Sequence, residues 1–357
     1  MNRSVSFVLW LIPIVFLIVD LGDQGLLEET TLWFFLVVII LFVGRSIGML
    51  GEGDDGKGEP PQNDRPKWWL QTSLFLLTIL TTTWAGAAQA GVDLVREPSR
   101  FAVGLPFSVG LLAILGAHEL GHYFAARRHG MIVTPPYFIP VPVSLGTFGA
   151  FVGLKGRAQN REALFDIAVA GPLAGLIFAL PVLGWGLQNS LILKGPTAGN
   201  FFRFIGVDVG SSIVLAIVSK LALGSAILEG HRVILNPLAL AGWLGILITA
   251  LNLLPIGQLD GGYISHALLG AKRANAVSIA GLIAVFLLAF FVGSGLLKWA
   301  FVIFFVASAR DLLPANDHTG ISPGRTVLGY FALALLLLIL LPVPGSFYPA
   351  LRIHPYT

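Results

Sequence analysis

The chain has 357 residues, of which 55% are hydrophobic and only 11% charged, with a formal net charge of +3. A soluble domain carries about 25% charged residues. This chain has too few to cover a water-facing surface, and its long apolar runs make it an integral membrane protein. The scattered positive charge includes no basic block with interleaved aromatics, which excludes nucleic acid as a partner. There is no cysteine, which excludes disulfides, thiolate metal sites, iron–sulfur clusters and cysteine nucleophiles. Any metal site must draw on His, Asp and Glu.

A spanning helix needs about 20 mostly apolar residues. The first such run, 4–20, starts basic and turns apolar. No small-residue cleavage site follows, so it reads as a first transmembrane helix rather than a signal peptide. The start also lacks the Arg- and Ser-rich, acid-poor character of a transit peptide, which points to a prokaryotic or already mature chain. A second span covers 31–50. Loop 20–30 carries Asp20, Asp23, Glu28 and Glu29 and no basic residue, whereas 51–67 carries Lys57, Arg65 and Lys67. The Lys/Arg bias therefore sets the N-terminus and 51–67 in the cytoplasm. The Gly-, Pro- and charge-rich composition of 51–67 reads as a flexible linker.

Further spans are expected at 68–90 and at 105–127, the latter running inward to Arg127 and Arg128. Its lower half reads GAHELGHYFAARRHG and contains H-E-x-x-H as His118, Glu119 and His122. Residues four apart on a helix share a face, so the two imidazoles can bind one zinc while Glu119 stands alongside to take a proton from water. Chance or packing is the competing account of so short a pattern. It loses weight here because a charge at membrane depth costs about 2.5–3.5 kcal/mol on insertion scales, and such groups usually mark function.

Between 134 and 155 the prolines and alternating apolar residues do not read as a helix. A re-entrant β-hairpin fits, with Gly146 and Gly149 allowing a tight turn. Gly146, Phe148 and Gly149 are its candidate substrate-binding residues, by strand addition; a plain interfacial loop is the alternative. The next span, 162–188, returns outward, and Gly171, Pro172 and Gly175 give it a small-xxx-small face for helix packing. The stretch 209–228 is interrupted by Lys220 and Gly224 and reads as interfacial or re-entrant. Span 234–255 runs inward to Lys272 and Arg273, an orientation that holds only if 189–233 makes no net crossing. Spans at 274–296 and 325–343, with a shorter apolar run at 299–309, complete the chain.

A catalytic zinc takes three protein ligands and an open position. Span 234–255 breaks at Pro255 and is followed by Leu259, Asp260, Gly261 and Gly262. Irregular backbone at membrane depth is tolerated where it lines a cavity, so Asp260 is a candidate third ligand; the alternative is a loop acid at the cytoplasmic edge.

HELGH in one span, followed by N-L-L-P-I-G-Q-L-D-G from Asn252 to Gly261, resembles the paired signature of the site-2 protease family of intramembrane zinc metalloproteases. The stretch between the motifs, from PPYFIPVPVSLGTFGAF to AGPLAG, resembles the chloroplast and cyanobacterial branch. The resemblance implies zinc at His118, His122 and Asp260, a catalytic base at Glu119, and Asn252 near the reacting carbonyl, where its amide would steady an oxyanion or simply pack between helices. Family members often carry PDZ or CBS domains, and the sequence has room for neither.

The expected fold is thus an all-α polytopic membrane protein of about eight transmembrane helices, with the hairpin at 134–155. Its expected parts are an N-terminal transmembrane helix pair (1–50), the cytoplasmic linker (51–67), a core with the zinc site (68–270) and C-terminal transmembrane helices (271–357). The expected activity is zinc-dependent cleavage of single-spanning or other membrane-protein substrates in the lipid bilayer, as in regulated intramembrane proteolysis. The expected location is a prokaryotic plasma membrane or a cyanobacterial internal membrane, with the site toward the cytoplasm. The alternatives are a membrane metalloprotease with a downstream Glu ligand, and a catalytically silent or transport-type membrane protein using the same polar groups. His129 reads as a helix-end cation, His231 and His318 as loop residues, and His266 as a neighbour of the site rather than a ligand.

Overall fold

The computed structural model describes residues 68–141, 145–194, 212–224, 231–292, 300, 303–304 and 314–341. The expected helices at 4–20 and 31–50 and the linker 51–67 lie outside them, as does most of 299–309.

Helix α1 (Trp68–Gln89) is followed by a 3-10 turn (Pro98–Gly104) that runs directly into α2 (Leu105–Arg128). Four short strands come next: β1 (Ile132–Val133), β2 (Tyr137–Pro140), β3 (Thr147–Phe151) and β4 (Leu154–Lys155). Helix α3 (Arg161–Gln188), strand β5 (Leu191–Lys194), helix α4 (Ile213–Leu223) and strand β6 (His231–Ile234) lead to α5 (Pro237–Leu253). Helices α6 (Asp260–Leu269), α7 (Ala271–Val292) and α8 (Pro323–Leu340) follow. The fold is mostly helical, with small antiparallel strand pairs.

Among the described residues, four helices are long and apolar enough to cross a membrane: Pro98–Arg128, Arg161–Gln188, Ala271–Phe290 and Pro323–Leu340. They coincide with four of the spans read from sequence. Helix α5 has 17 residues, short of a usual span, because Asn236 caps its start by accepting from Ala239 N at 2.8 Å and the Leu254–Pro255 break ends it. Helix α1 is long enough but rich in threonine. Buried Thr78, Thr82 and Thr83 donate back to the carbonyls of Leu74, Thr78 and Ile79 at 2.6–2.7 Å, which satisfies each hydroxyl without solvent. Thr82 also meets Ser108 of α2 at 2.6 Å. Exposed Trp68 and Trp69 open α1, as in an interfacial aromatic belt.

The core sits between α3, α5, α6 and α8, where Phe165, Leu183, Leu253, Ile264 and Ala332 are buried together. A second cluster joins α1, α2 and α5 through Phe107, Leu111 and Leu244 and takes in Phe138 of β2. The crossing of α3 with α5 is close because Gly186 lies against the Ala239 backbone and Gly242 against that of Leu183. Small residues are what let helices approach in a membrane.

The expected hairpin is present. Strand β2 pairs antiparallel with β3, Tyr137 opposite Phe151 and Phe138 opposite Ala150, and β1 with β4 extends the ribbon to Ile132 and Lys155. It leans on α1 along its length. Pro135 accepts from Gln71 Nε2 at 3.1 Å, Phe138 packs on Phe75 with ring centroids 4.9 Å apart, and Gly146 accepts from Thr81 Oγ1 at 2.7 Å. A second pairing joins β5 to β6, Leu191 opposite Ile234 through Lys194 opposite His231. The chain thus returns at the end of the bundle where it left α3, in keeping with the expectation that 189–233 makes no net crossing. His231, read as a loop residue, opens strand β6 instead.

Candidate metal centre

Helix α2 carries His118, Glu119 and His122 on buried turns, six residues before its basic end at Arg128. At 1.5 Å per residue that end is about 9 Å away. Asp260, the first residue of α6, comes from the far side of the break. The His118 and His122 Nε2 atoms lie 3.0 Å apart, and Asp260 Oδ2 is 3.3 Å from the first and 3.4 Å from the second. Bonds of about 2.0–2.1 Å in a tetrahedron put neighbouring ligand atoms about 3.3–3.4 Å apart. The three atoms therefore form a triangle close to one face of a zinc tetrahedron, and they are a group that could hold a metal.

Proton placement points the same way. His122 Nδ1 lies 2.8 Å from the Ile167 carbonyl, which can only accept, so Nδ1 carries the ring proton and Nε2 keeps its lone pair. In the neutral ring that lone pair faces the Asp260 carboxylate and the His118 Nε2 atom, so the three can converge on one cation. The residues present fit a zinc ion, which takes His nitrogen and carboxylate oxygen.

The break after α5 has two local causes. Pro255 cannot donate to a helical carbonyl, and Gly257 adopts a φ of +48°. Gly257 N then donates to Ser278 Oγ of α7 at 2.8 Å, so the turn is anchored from outside. Gly261 and Gly262 serve a purpose different from the irregular backbone expected of them. They are helical, and a Cβ on either would press into the carbonyl of Leu253 or Gly257. Bare glycine is what lets α6 pack against the end of α5 and deliver Asp260.

The other candidates fall as follows. Asn252 Nδ2 is 3.5 Å from His118 Nε2, beside the centre but beyond good hydrogen-bonding distance. Glu119 is buried, with the backbone of Val152, just past the end of β3, nearby. Gly146, with φ +81°, is pressed against Thr81 and Thr82 of α1, whereas Gly149, with φ +100°, faces open space and Phe148 is exposed. His266 pairs with Asp317 at 2.9 Å and His129 with Asp166 at 2.9 Å, so neither joins the centre.

Sequence reasoning missed the contribution of α3. Ile167 offers its carbonyl to His122, Gly171 lies against the His122 ring and Gly175 against His118. The available signal was spacing: Gly171 and Gly175 are four apart, as are the two histidines.

The sequence profile of Peptidase family M50 matches residues 106–294, a range that contains every residue of the centre. Among curated proteins the chain is similar to probable zinc metalloprotease EGY2, chloroplastic, of Arabidopsis thaliana, 32% identical over 297 residues, covering 81% of this chain and 51% of that protein. It is 35% identical to probable zinc metalloprotease EGY1, chloroplastic, of the same plant over 241 residues, covering 67% of this chain and 43% of that one. Probable zinc metalloprotease EGY3, chloroplastic, of Oryza sativa subsp. indica is 32% identical over 252 residues, covering 68% and 43%. The chain thus spans about half the length of the curated relatives it matches. No solved structure matches it.

Proposed function

The chain belongs to peptidase family M50, the site-2 proteases, and on that premise we propose that it is an intramembrane zinc-dependent endopeptidase cleaving membrane-spanning segments. What carries the reading is the triangle of His118, His122 and Asp260, with Glu119 buried beside it and no substitution among the four motif residues.

His118, His122 and Asp260 would hold the ion. Zinc bound there would polarise the scissile carbonyl and bring the pKa of a water molecule down to about 7. Glu119 accepts the proton of the attacking water on its carboxylate and delivers it to the departing amine nitrogen. The Asn252 amide donates to the carbonyl oxygen as charge builds there. The hairpin receives the substrate as an added strand, with Gly146 setting its tip against α1 and Phe148 and Gly149 on its accessible face. A helical substrate hides its carbonyls in hydrogen bonds, so segments weakened near the cut are the preferred substrates. The nearness of the Val152 backbone to Glu119 supports this role, because it brings the end of β3 close to the base.

The basic residues at the end of α2 and at the start of α7, Arg127, Arg128, Lys272 and Arg273, favour a cytoplasmic setting for this end of the bundle. The same reading includes about eight spans, the first two within 1–50, with 68–270 as the proteolytic core. The membrane is a prokaryotic plasma membrane or a cyanobacterial internal one; chloroplastic relatives fit the latter.

The test is purified protein in detergent with a single-spanning substrate carrying helix-weakening residues. Glu119→Gln is expected to reduce cleavage by about 10²–10⁴-fold, the usual worth of a general base. Equal cleavage by wild type and Glu119→Gln would overturn the assignment.

A further inference from the structure

Helix α3 touches the centre at three points one turn apart: residues 167, 171 and 175. At the first, the Ile167 carbonyl accepts from His122 Nδ1 at 2.8 Å and so fixes which ring nitrogen bears the lone pair. At the second, Gly171 has no side chain to keep the imidazole away. The three atoms nearest to a Cβ built there are Nε2, Cε1 and Cδ2, all of the His122 ring. At the third, a Cβ on Gly175 would meet Cβ of His118 at 3.3 Å and its Nδ1 at 3.4 Å, a tight fit that small shifts accommodate.

These contacts differ from the other close glycines of the same helix. Gly186 meets backbone and Cβ of Ala239, which is plain helix packing. The three atoms nearest a Cβ on Gly171 all belong to one imidazole, and the nearest is the atom that faces Asp260. We infer that Ile167, Gly171 and Gly175 form a seat on α3 that sets the ring plane and tautomer of His122 and, less tightly, the position of His118. Gly171 is then a positioning residue for the metal ligand, and its role is distinct from helix packing. The proline at 172 fits the same arrangement. It leaves the Ala168 carbonyl without its helical donor, so the helix is already loosened where it must lie against the imidazole.

The inference rests on the proposed metal role of His122, but its test does not require proteolysis. Thermal unfolding in detergent is measured for wild type, Gly171→Ala, His122→Ala and the double variant. A seat for the ring predicts a large fall in Tm for Gly171→Ala in the wild-type background and little or no further fall in the His122→Ala background, because the colliding ring is gone. Equal falls in the two backgrounds, or failure to fold in both, would show that Gly171 serves only helix packing and would overturn the inference. Bound zinc gives a graded second readout. Loss of an outer partner of a zinc ligand weakens affinity by about 10–100-fold. Gly175→Ala, the milder contact, is expected to fold and to fall near the low end of that range. Wild-type affinity in folded Gly175→Ala would remove His118 from the seat. A protein that shows the coupling between 171 and 122 but cleaves nothing would leave the seat standing and defeat the proteolytic reading instead.

Discussion

At the residue scale, the proposed ligands and the proposed base can be told apart by what each loss does. His118, His122 and Asp260 converge within 3.0–3.4 Å, whereas Glu119 is buried beside them on the same helix as the histidines. Asp260→Ala is therefore expected to release the ion, with zinc per chain falling by at least about 10-fold at matched free zinc. Glu119→Gln is expected to keep zinc at wild-type stoichiometry while losing cleavage. Metal analysis of the two variants side by side checks this, and zinc loss from Glu119→Gln with retention in Asp260→Ala would reverse the roles. The cluster of His118, His122 and Asp260 was legible in the sequence because its spacing obeys helix geometry and its third member follows a proline break. The seat on α3 was not. Gly171 and Gly175 read as a packing face because glycine at four-residue spacing is usually that, and the partner that distinguishes them is an imidazole about 50 positions earlier in the chain.

At the scale of elements, the hairpin and the metal centre are held by different neighbours, so they should fail separately. The hairpin tip depends on α1, through Thr81 Oγ1 donating to the Gly146 carbonyl and through Gly146 lying against the Thr82 backbone. The centre depends on α2, α3 and the α5–α6 break. Gly146→Ala puts a side chain where φ is +81°, at a cost of about 1–2 kcal/mol, and drives its Cβ into α1. The expected outcome is reduced cleavage of a membrane-spanning substrate with unchanged zinc content. Loss of both together would mean that the hairpin props up the centre rather than receiving substrate. The hairpin was legible because Gly and Pro punctuate a stretch of alternating apolar residues too short for a span. The pairing of β5 with β6 was not, since two four-residue strands separated by 36 residues leave no local signal. Helix α5 is shorter than the span read at 234–255, because a cap and a proline cut it at both ends.

At the scale of the whole molecule, the last described helix is fastened to the core by charge at the basic end of the bundle. Arg325, near the start of α8, reaches Asp166 of α3 with two hydrogen bonds, Nε to Oδ1 at 2.7 Å and Nη2 to Oδ2 at 2.8 Å, and meets Glu162 at 3.1 Å. Asp166 also holds His129 at the end of α2, and Glu162 accepts from Ser322 N at 2.9 Å. Arg161 donates to the Ala267 carbonyl of α6, and the preceding strip joins in: Ala315 N donates to Ala158 and Asn316 N to Gln159. None of these partners is predictable from local pattern, because each joins residues more than 30 positions apart; His129 alone reads as a helix-end cation. The fork of Arg325 on one carboxylate is geometry that lysine cannot copy. Hydrogen bonds to charged groups contribute about 1.5–3 kcal/mol, reduced here because Arg325 and Asp166 are each about 30% exposed. Arg325→Ala is expected to lower the Tm by several degrees with zinc still bound, and Arg325→Lys to recover only part of the loss. Combining Arg325→Ala with Asp166→Ala should cost less than the sum of the single changes, since the two share one contact. Strict additivity in that cycle would mean that α8 is held by its apolar face against Phe165 and Leu268 alone, with the ion pair contributing nothing.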